Sequence, residues 1–346
     1  MKRVKIILAA AAAVILFAGC TEAAASDDSE LAAETTTTVT SDDGTAVTTE
    51  EPAESQPDGP ADDSDQLYDT KPISQAYLTG DETGLDDIQR EILSRAKDII
   101  SENITDGMDD YDKELAIHDY IITHATYDTA MLGVFEEHGE HSEDPYGALV
   151  EGKCICSGYT TTFKMFMDML EIPCLSIVAT ADGGEAHAWN MAEINGHWYY
   201  VDVTWDDPMP DREGRPEQHQ YFNTSKEEMK YRHEWNSTGY PVMDSMEDSY
   251  IAHELVNIHS VEEVAALMEK SFEERKMNFY FIPSDTEGWE LDPLTISPGF
   301  VSPSTINEEL TAPVSEFKSK HSDYAILWQR REFEGKVIVA GYIVNM

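Results

Sequence analysis

The sequence predicts an α+β fold in which a core helix packs on an antiparallel sheet, followed by a small α/β unit. Apolar residues recur at helical spacing up to about residue 170, and aromatic or β-branched runs follow from residue 175. A second set of helix and strand patterns occupies residues 249–346. These three observations indicate two structured segments.

The first 20 residues have the pattern of an export signal. A positively charged start, Met1–Lys5, precedes an apolar run, Ile6–Phe17, that is too short to span a bilayer. The run ends in Leu-Phe-Ala-Gly-Cys, which resembles a bacterial lipobox and predicts lipidation of Cys20. The alternative is ordinary cleavage near Ala18 or Gly19, which would give a secreted protein. The lipobox predicts a protein anchored on the extracytoplasmic face of a bacterial cell membrane.

Residues 21–66 are predicted to form a disordered acidic tether rich in Thr, Ser, Asp and Glu. From Thr21 to Thr70 there are 15 acidic residues and no Lys or Arg. Such a segment cannot bury enough apolar surface to fold. The whole chain carries a formal net charge of −45. This charge excludes nucleic acid as a partner and limits membrane contact to the lipid anchor, because phosphates repel an acidic surface.

A predicted domain at residues 67–248 begins with helices. Apolar residues at helical spacing from Leu85 to Ile99 indicate the first, and a second is expected from about Tyr111 to His124. The run from Cys156 to Leu170 has the buried apolar stripe of a core helix, which Pro173 ends. This helix is therefore expected to pack on the sheet.

Strands follow the core helix. A short strand is expected at Leu175–Ala179, and longer ones at His187–Ile194 and His197–Trp205. Asn195-Gly196 lies between the two longer strands and is the strongest short signal for a two-residue hairpin turn. The sheet is therefore predicted to be antiparallel at this point.

Residues 249–346 are predicted to form a separate small α/β domain of unknown role. Ser260 begins a capping box, Asn278–Ile282 is expected to be a strand, and Tyr324–Arg331 pairs with Lys336–Val344 in a predicted hairpin. This region contains no chemical motif, so a structural or partner-binding role is expected.

The hairpin turn brings a histidine close to two carboxylates. If Asn195-Gly196 forms a two-residue turn, His187 lies opposite Thr204, and both Asp202 and Asp206 are diagonal neighbours of His187 on the same face. The spacing therefore predicts a histidine–carboxylate contact without choosing the carboxylate. Asp202 is preferred because it lies within the regular strand.

A thiol is expected from the helix side. Cys156 stands at the predicted start of the core helix, where unpaired backbone N–H groups favour a thiolate and could stabilise an oxyanion. Gly158 would allow close approach of another backbone. A zinc site from Cys154, Cys156 and His187 is the chemical alternative, but it lacks a fourth ligand at suitable spacing. The Glu- and His-rich segment 132–144 is expected to be a solvated loop, and no metal or cofactor is predicted.

These motifs resemble the transglutaminase-like superfamily, whose members are cysteine enzymes with a papain-like α+β core. The resemblance covers about residues 110–235. It depends on Cys-X-Gly-Tyr at Cys156–Tyr159, His-Ala-Trp-Asn at His187–Asn190 and Asp-X-Thr-Trp-Asp-Asp-Pro at Asp202–Pro208. Further similarity to this superfamily lies at Asp119, Tyr127, Asp128, Tyr221–Asn223 and His233.

The resemblance implies that Cys156 is the nucleophile, His187 the acid and base, and Asp202 the residue that orients His187. It also selects Cys156 over Cys154, because only Cys156 fits the motif. The expected activity is acyl transfer at protein or peptide amides, as a protease or a transamidase, through a thioester. The alternative is a catalytically silent binding or adhesion module on the cell surface.

Overall fold

The computed structural model describes residues 60–129, 139–207, 218–284, 289 and 300–345. The predicted signal peptide, most of the predicted tether and much of the 132–144 loop lie outside the described residues. The described residues all belong to one compact unit. Within them, no helix combines the length and apolar character needed to cross a bilayer.

The first part of the described chain is helical, as the apolar spacing predicted. The four main helices are α1 Lys71–Thr79, α2 Asp87–Asn103, α3 Asp110–His124 and α4 Cys156–Met169. The carboxylates of Asp86 and Asp109 accept hydrogen bonds from backbone N–H groups and thereby begin α2 and α3. Between α3 and α4, two short strands, β1 Thr126–Tyr127 and β2 Lys153–Cys154, pair in parallel.

The first sheet has the strand order β5-β4-β3-β6 and is antiparallel at each of these pairings. Its strands are β3 Cys174–Ala181, β4 Glu185–Ile194, β5 His197–Val201 and β6 His233–Glu234. Ile194 pairs with His197, and both turn residues, Asn195 and Gly196, have positive φ. The predicted hairpin and its register are therefore confirmed.

The predicted extension of β5 to Trp205 is wrong. The pairing of β4 with β5 ends at Asn190 and Val201, and the next residues form a short helix, α5 Val203–Asp206. Asp202 is the N-cap of this helix, and its carboxylate accepts a hydrogen bond from the Trp205 N–H at 3.1 Å. The capping interaction gives the backbone an alternative to continued strand pairing, so the predicted pairing of His187 with Thr204 does not form.

Helix α4 packs against the sheet, as the α+β prediction required. It contacts β3 and β4 on one side and α1 and α3 on the other. Phe163, Phe166 and Met167 of α4 are fully buried in the main hydrophobic cluster. Burial on two sides fixes the direction of α4 and hence the position of its first residue, Cys156.

The remaining described chain adds a second sheet, in the order β7-β8-β10-β9. Its elements, with the short helices around them, are α6 Lys226–Lys230, α7 Tyr250–Glu254, β7 Leu255–Ile258, α8 Val261–Glu273, β8 Asn278–Pro283, α9 Pro303–Ile306, α10 Thr311–Lys320, β9 Tyr324–Phe333 and β10 Lys336–Asn345. The predicted β9–β10 hairpin is confirmed, whereas β7 was not predicted. Tyr280 and Phe333 join the same hydrophobic cluster as α4, and a domain boundary near residue 249 stays a prediction.

Candidate active site

Cys156 is the first residue of α4 and is half-buried. The preceding N-cap residue, Ile155, has an extended backbone and makes no side-chain capping bond. The first intrahelical bond near the thiol runs from the Tyr159 N–H to the Ile155 carbonyl at 3.1 Å. The N–H groups before it have no intrahelical acceptor, and they face the region of the thiol with the positive end of the helix dipole.

Gly158 allows the start of α4 to pack closely against its surroundings. A β-carbon at this position would lie 2.6 Å from the Ser142 carbonyl oxygen and 2.6 Å from the Cys154 β-carbon. The Ile155 N–H also donates to the Ser142 carbonyl at 2.8 Å. A glycine is required here because any side chain would displace this backbone, and with it the residue that carries the thiol.

His187 connects the thiol to a carboxylate. It lies on β4, is 7% exposed, and its Nε2–H donates to Asp202 Oδ2 at 2.7 Å. The Cys156 side chain lies close enough to His187 to help raise the pKa of its imidazole. Because Nε2 is used by Asp202, the nitrogen left for the thiol is Nδ1. The structure thus brings together the three residues that the motifs singled out.

The charges of this group stabilise one another. Burial disfavours a charged His187, but the Asp202 carboxylate, its hydrogen bond and the neighbouring Cys156 side chain outweigh burial and raise the pKa of His187 to about 10. Burial would likewise raise the pKa of Asp202, yet His187 and His233 hold it well below its usual range. An imidazolium at His187 beside a carboxylate at Asp202 is therefore favoured at neutral pH.

His233 is a second histidine on the same carboxylate. It lies on β6, is fully buried, and its Nε2 is 2.8 Å from Asp202 Oδ2. Its Nδ1 faces the Met229 carbonyl at 3.1 Å. We refer to His187, Asp202 and His233 as the Asp202 cluster. Sequence reasoning noted His233 only within the family resemblance, because a two-residue strand has no periodicity that could place it.

Asp206, the other candidate carboxylate, faces a different histidine. Its Oδ2 lies 3.2 Å from His118 Nε2, and its carboxylate also accepts the Tyr221 N–H at 3.0 Å. His118 Nδ1 in turn lies 3.1 Å from Asp119 Oδ1, which accepts from His219 Nε2 at 2.7 Å. We refer to the three residues His118, Asp119 and His219 as the Asp119 cluster.

His118 is held as a cation between two carboxylates. It is fully buried, which disfavours its charge, but the hydrogen bonds and charges of Asp119 and Asp206 raise its pKa to about 9. Within the described chain, the thiols of Cys154, Cys156 and Cys174 are not part of the Asp119 cluster. This cluster therefore supplies ion pairing within the core rather than a nucleophile.

Both clusters bring His and Asp ligand atoms close enough to be considered as metal sites. The facing atoms are at hydrogen-bond separations, and each central carboxylate accepts from two imidazoles. The alternative zinc set of Cys154, Cys156 and His187 is not among the close sets found in the described residues. Cys154 is fully buried, and burial raises the pKa of its thiol well above the usual value, which disfavours the thiolate that zinc requires.

Comparisons with known proteins show similarity over part of the chain. A profile of the transglutaminase-like superfamily matches residues 98–203. Kyphoscoliosis peptidase of Homo sapiens is 26% identical over 125 residues, which cover 33% of this chain and 18% of that protein. Its Mus musculus counterpart is 25% identical over 134 residues, covering 36% of this chain and 20% of that protein. The chain thus spans about a fifth of the length of these relatives.

The chain is also similar to a solved structure. The crystal structure of a TGase covers 54% of this chain and 45% of its own, with 16% identity and a TM-score of 0.31.

The core helix on an antiparallel sheet, with a thiol at the helix start, defines a fold of the cysteine-enzyme class. Together with the match at residues 98–203, it identifies a transglutaminase-like domain within the chain.

Proposed function

We propose that Cys156, His187 and Asp202 form the catalytic triad of a cysteine enzyme that transfers acyl groups from protein or peptide amides. The observation that carries this proposal is the position of His187, which hydrogen-bonds Asp202 and lies close enough to Cys156 for the two side chains to influence each other's charge. A nucleophile, a base and a residue that orients the base are the three parts that such chemistry requires.

In the first step, the Cys156 thiolate attacks the amide carbonyl carbon and a C–S bond forms. The charge that develops on the carbonyl oxygen is stabilised by the N–H groups at the start of α4. The His187 imidazolium gives its proton to the amide nitrogen, the C–N bond breaks, and the amine leaves. The products are a thioester at Cys156 and a neutral His187.

In the second step, an acceptor resolves the thioester. Neutral His187 takes a proton from water or an amine as that molecule attacks the thioester carbonyl. The C–S bond then breaks, which restores the thiolate and the imidazolium. Water gives a hydrolase and an amine gives a transamidase. The relatives named peptidases favour water, and the superfamily name favours an amine, so both acceptors belong to the proposal.

Selective alkylation tests the reactive thiol without a known substrate. We expect iodoacetamide at neutral pH to label Cys156 far faster than Cys174, which is buried. His187→Ala should slow the labelling of Cys156 by at least about tenfold, while Cys174→Ala, the matched control, should leave it unchanged. Equal labelling rates for Cys156 and Cys174 in the wild type would contradict the proposal.

Mass spectrometry of cell-surface proteins and peptides then distinguishes the reactions. After incubation with wild type, new termini indicate hydrolysis, and linked peptides that have lost ammonia indicate transamidation. Incubation with Cys156→Ala provides the background. If the thiol is reactive but no product differs from that background, the catalytically silent binding module becomes the better interpretation.

We also propose that Cys20 is lipidated and that residues 21–66 tether the enzyme outside the cell membrane. The export signal and the Leu-Phe-Ala-Gly-Cys ending support this proposal. We expect wild type in the membrane fraction and Cys20→Ala released from it or retained as precursor, with Cys174→Ala as the control. Recovery of wild type in the medium with an N-terminus at Cys20 that lacks lipid would contradict it.

A further inference from the structure

His233 and His187 share Asp202 from the two strands that flank β3. The two Nε2 atoms lie 2.8 and 2.7 Å from the same carboxylate oxygen. In the sheet, β3 lies between β4 and β6, where Ala179 pairs with His187 and Ala181 pairs with His233. Residues two apart on a strand face the same side, so both imidazoles reach Asp202 from one face.

The hydrogen-bond partners of His233 determine where its protons are. Nδ1 faces the Met229 carbonyl, which can only accept, so Nδ1 carries a proton. Nε2 faces Asp202, which also accepts the Trp205 N–H. The two histidines hold the pKa of Asp202 well below its usual range despite burial, so its carboxylate has no proton to donate. Both ring nitrogens of His233 therefore face acceptors, and both contacts are hydrogen bonds only when each nitrogen carries a hydrogen.

A second imidazolium, at His233, would balance the charge of the reactive state. A thiolate at Cys156, an imidazolium at His187 and a carboxylate at Asp202 together leave one net negative charge. Asp202 is fully buried and His187 nearly so, and a net charge in such a site is costly. A cation at His233 makes the sum of the four groups zero.

We infer that His233 is a positioning residue that fixes Asp202 through a second charge-assisted hydrogen bond and balances the charge of the Cys156–His187 ion pair. The inference depends on the proposed function, because it assigns His233 a role in forming the reactive thiolate. It goes further by adding a fourth residue, which acts through Asp202 and does not touch the substrate.

Other titratable groups around His233 do not provide this balance. The Tyr221 ring lies 5.6 Å from His233, and burial raises its pKa so that it stays a neutral phenol. The rings of Trp189 and Trp205 pack against His233 and keep water away. Arg232 lies over Trp205 and is paired with the Asp182 carboxylate in a partly exposed position.

The pH dependence of Cys156 alkylation tests this role. His233→Gln keeps a donor for Asp202 but removes the positive charge. We expect the midpoint of the alkylation rate against pH to move up by about one pH unit, because a nearby cation no longer favours the thiolate. The control is His197→Gln. It removes a partly exposed histidine of β5 whose side chain is paired with Asp244. The control midpoint should match wild type.

The outcomes separate the two claims. If wild-type Cys156 reacts no faster than Cys174, the proposed function fails. If Cys156 is reactive and folded His233→Gln has an unshifted midpoint, the inference about His233 is overturned and the proposed function stands. If His233→Gln does not fold, NMR of the ¹⁵N-histidine-labelled wild type decides: two ring N–H protons on His233 support the inference, and one overturns it.

Discussion

The Asp202 cluster and the Asp119 cluster have the same composition and different outer neighbours. In each, one carboxylate oxygen lies between two imidazoles. The free side of His187 meets the Cys156 thiol, whereas the free side of His118 meets the Asp206 carboxylate. An imidazole beside a thiol can exchange a proton with a nucleophile, but one between two carboxylates is fixed as a cation. The outer neighbour therefore decides which cluster can perform chemistry.

The two clusters are joined by one short helix. Asp202 caps the start of α5 and Asp206 ends it. Because Asp206 is held by His118 and by the Tyr221 N–H, the Asp119 cluster supports the helix that presents Asp202. We therefore expect changes in the first cluster to appear mainly in activity, and changes in the second mainly in stability.

The largest expected effect comes from paired substitutions at the two central carboxylates. Asp202→Asn should lower kcat by about 10²–10⁴-fold, because an amide neither stabilises the His187 imidazolium nor fixes its tautomer. Asp119→Asn should lower the free energy of unfolding by about 2–4 kcal/mol and leave kcat of the folded protein within about tenfold. Steady-state kinetics and denaturant unfolding measure the two quantities. If Asp119→Asn lowers kcat as much as Asp202→Asn does, the assignment of activity to one cluster and stability to the other is wrong.

The second prediction concerns the pH dependence of turnover. The pKa of His187 is raised to about 10, so the imidazolium that protonates the leaving amine persists through neutral pH. Turnover should fall as the pH rises through about 10, by about tenfold per pH unit above it. Initial rates between about pH 7 and 11, with folding followed by circular dichroism, measure this. A fall centred near the usual histidine value of about 6.5 would contradict the role given to Asp202.

The third prediction uses Glu114, a buried carboxyl one turn before His118 on α3. Its Oε2 accepts from Asn223 Nδ2 at 2.7 Å, and burial raises its pKa to about 8. Because folding raises the pKa of Glu114, this residue's contribution to the free energy of unfolding is complete below about pH 4.3. The contribution is lost as the pH rises towards about 8. Glu114→Gln should remove this loss, so near pH 8 its free energy of unfolding should exceed that of wild type by about 2–4 kcal/mol. Unfolding free energies at about pH 5 and 8 test it, and a pH-independent difference would contradict it.

Sequence patterns predicted which residues lie close together in the site, but not the backbone structure that brings them together. The hairpin turn fixed the register of β4 and β5, so a carboxylate near His187 could be predicted. The contact arises for another reason, since Asp202 reaches His187 from the N-cap of α5 and not from a paired strand. A helix cap competes with strand pairing over one or two residues, and alternation alone cannot show which wins.

Other parts of the site depend on tertiary packing that no local pattern encodes. The approach of α4 to β4, which brings Cys156 to His187, follows from burial on both sides of α4. His233 comes from a two-residue strand, and His118 meets Asp206 across 88 residues of sequence. Such contacts have no characteristic spacing, whereas the periodic elements α3, α4 and the β9–β10 hairpin were predictable from apolar and turn residues.

The smallest expected effect is on the pH dependence of the free energy of unfolding, which should change with the Asp119 cluster. The pKa of His118 is raised to about 9, so its contribution to stability is complete below about pH 6.5 and is lost as the pH rises through about 9. In His118→Gln, the decline in unfolding free energy over this interval should be smaller than in wild type by about 1–3 kcal/mol. His197→Gln is the matched control and should decline like wild type. If His118→Gln instead moves the pH dependence of Cys156 alkylation and leaves the unfolding profile unchanged, the Asp119 cluster takes part in the chemistry, and the division between the two clusters is wrong.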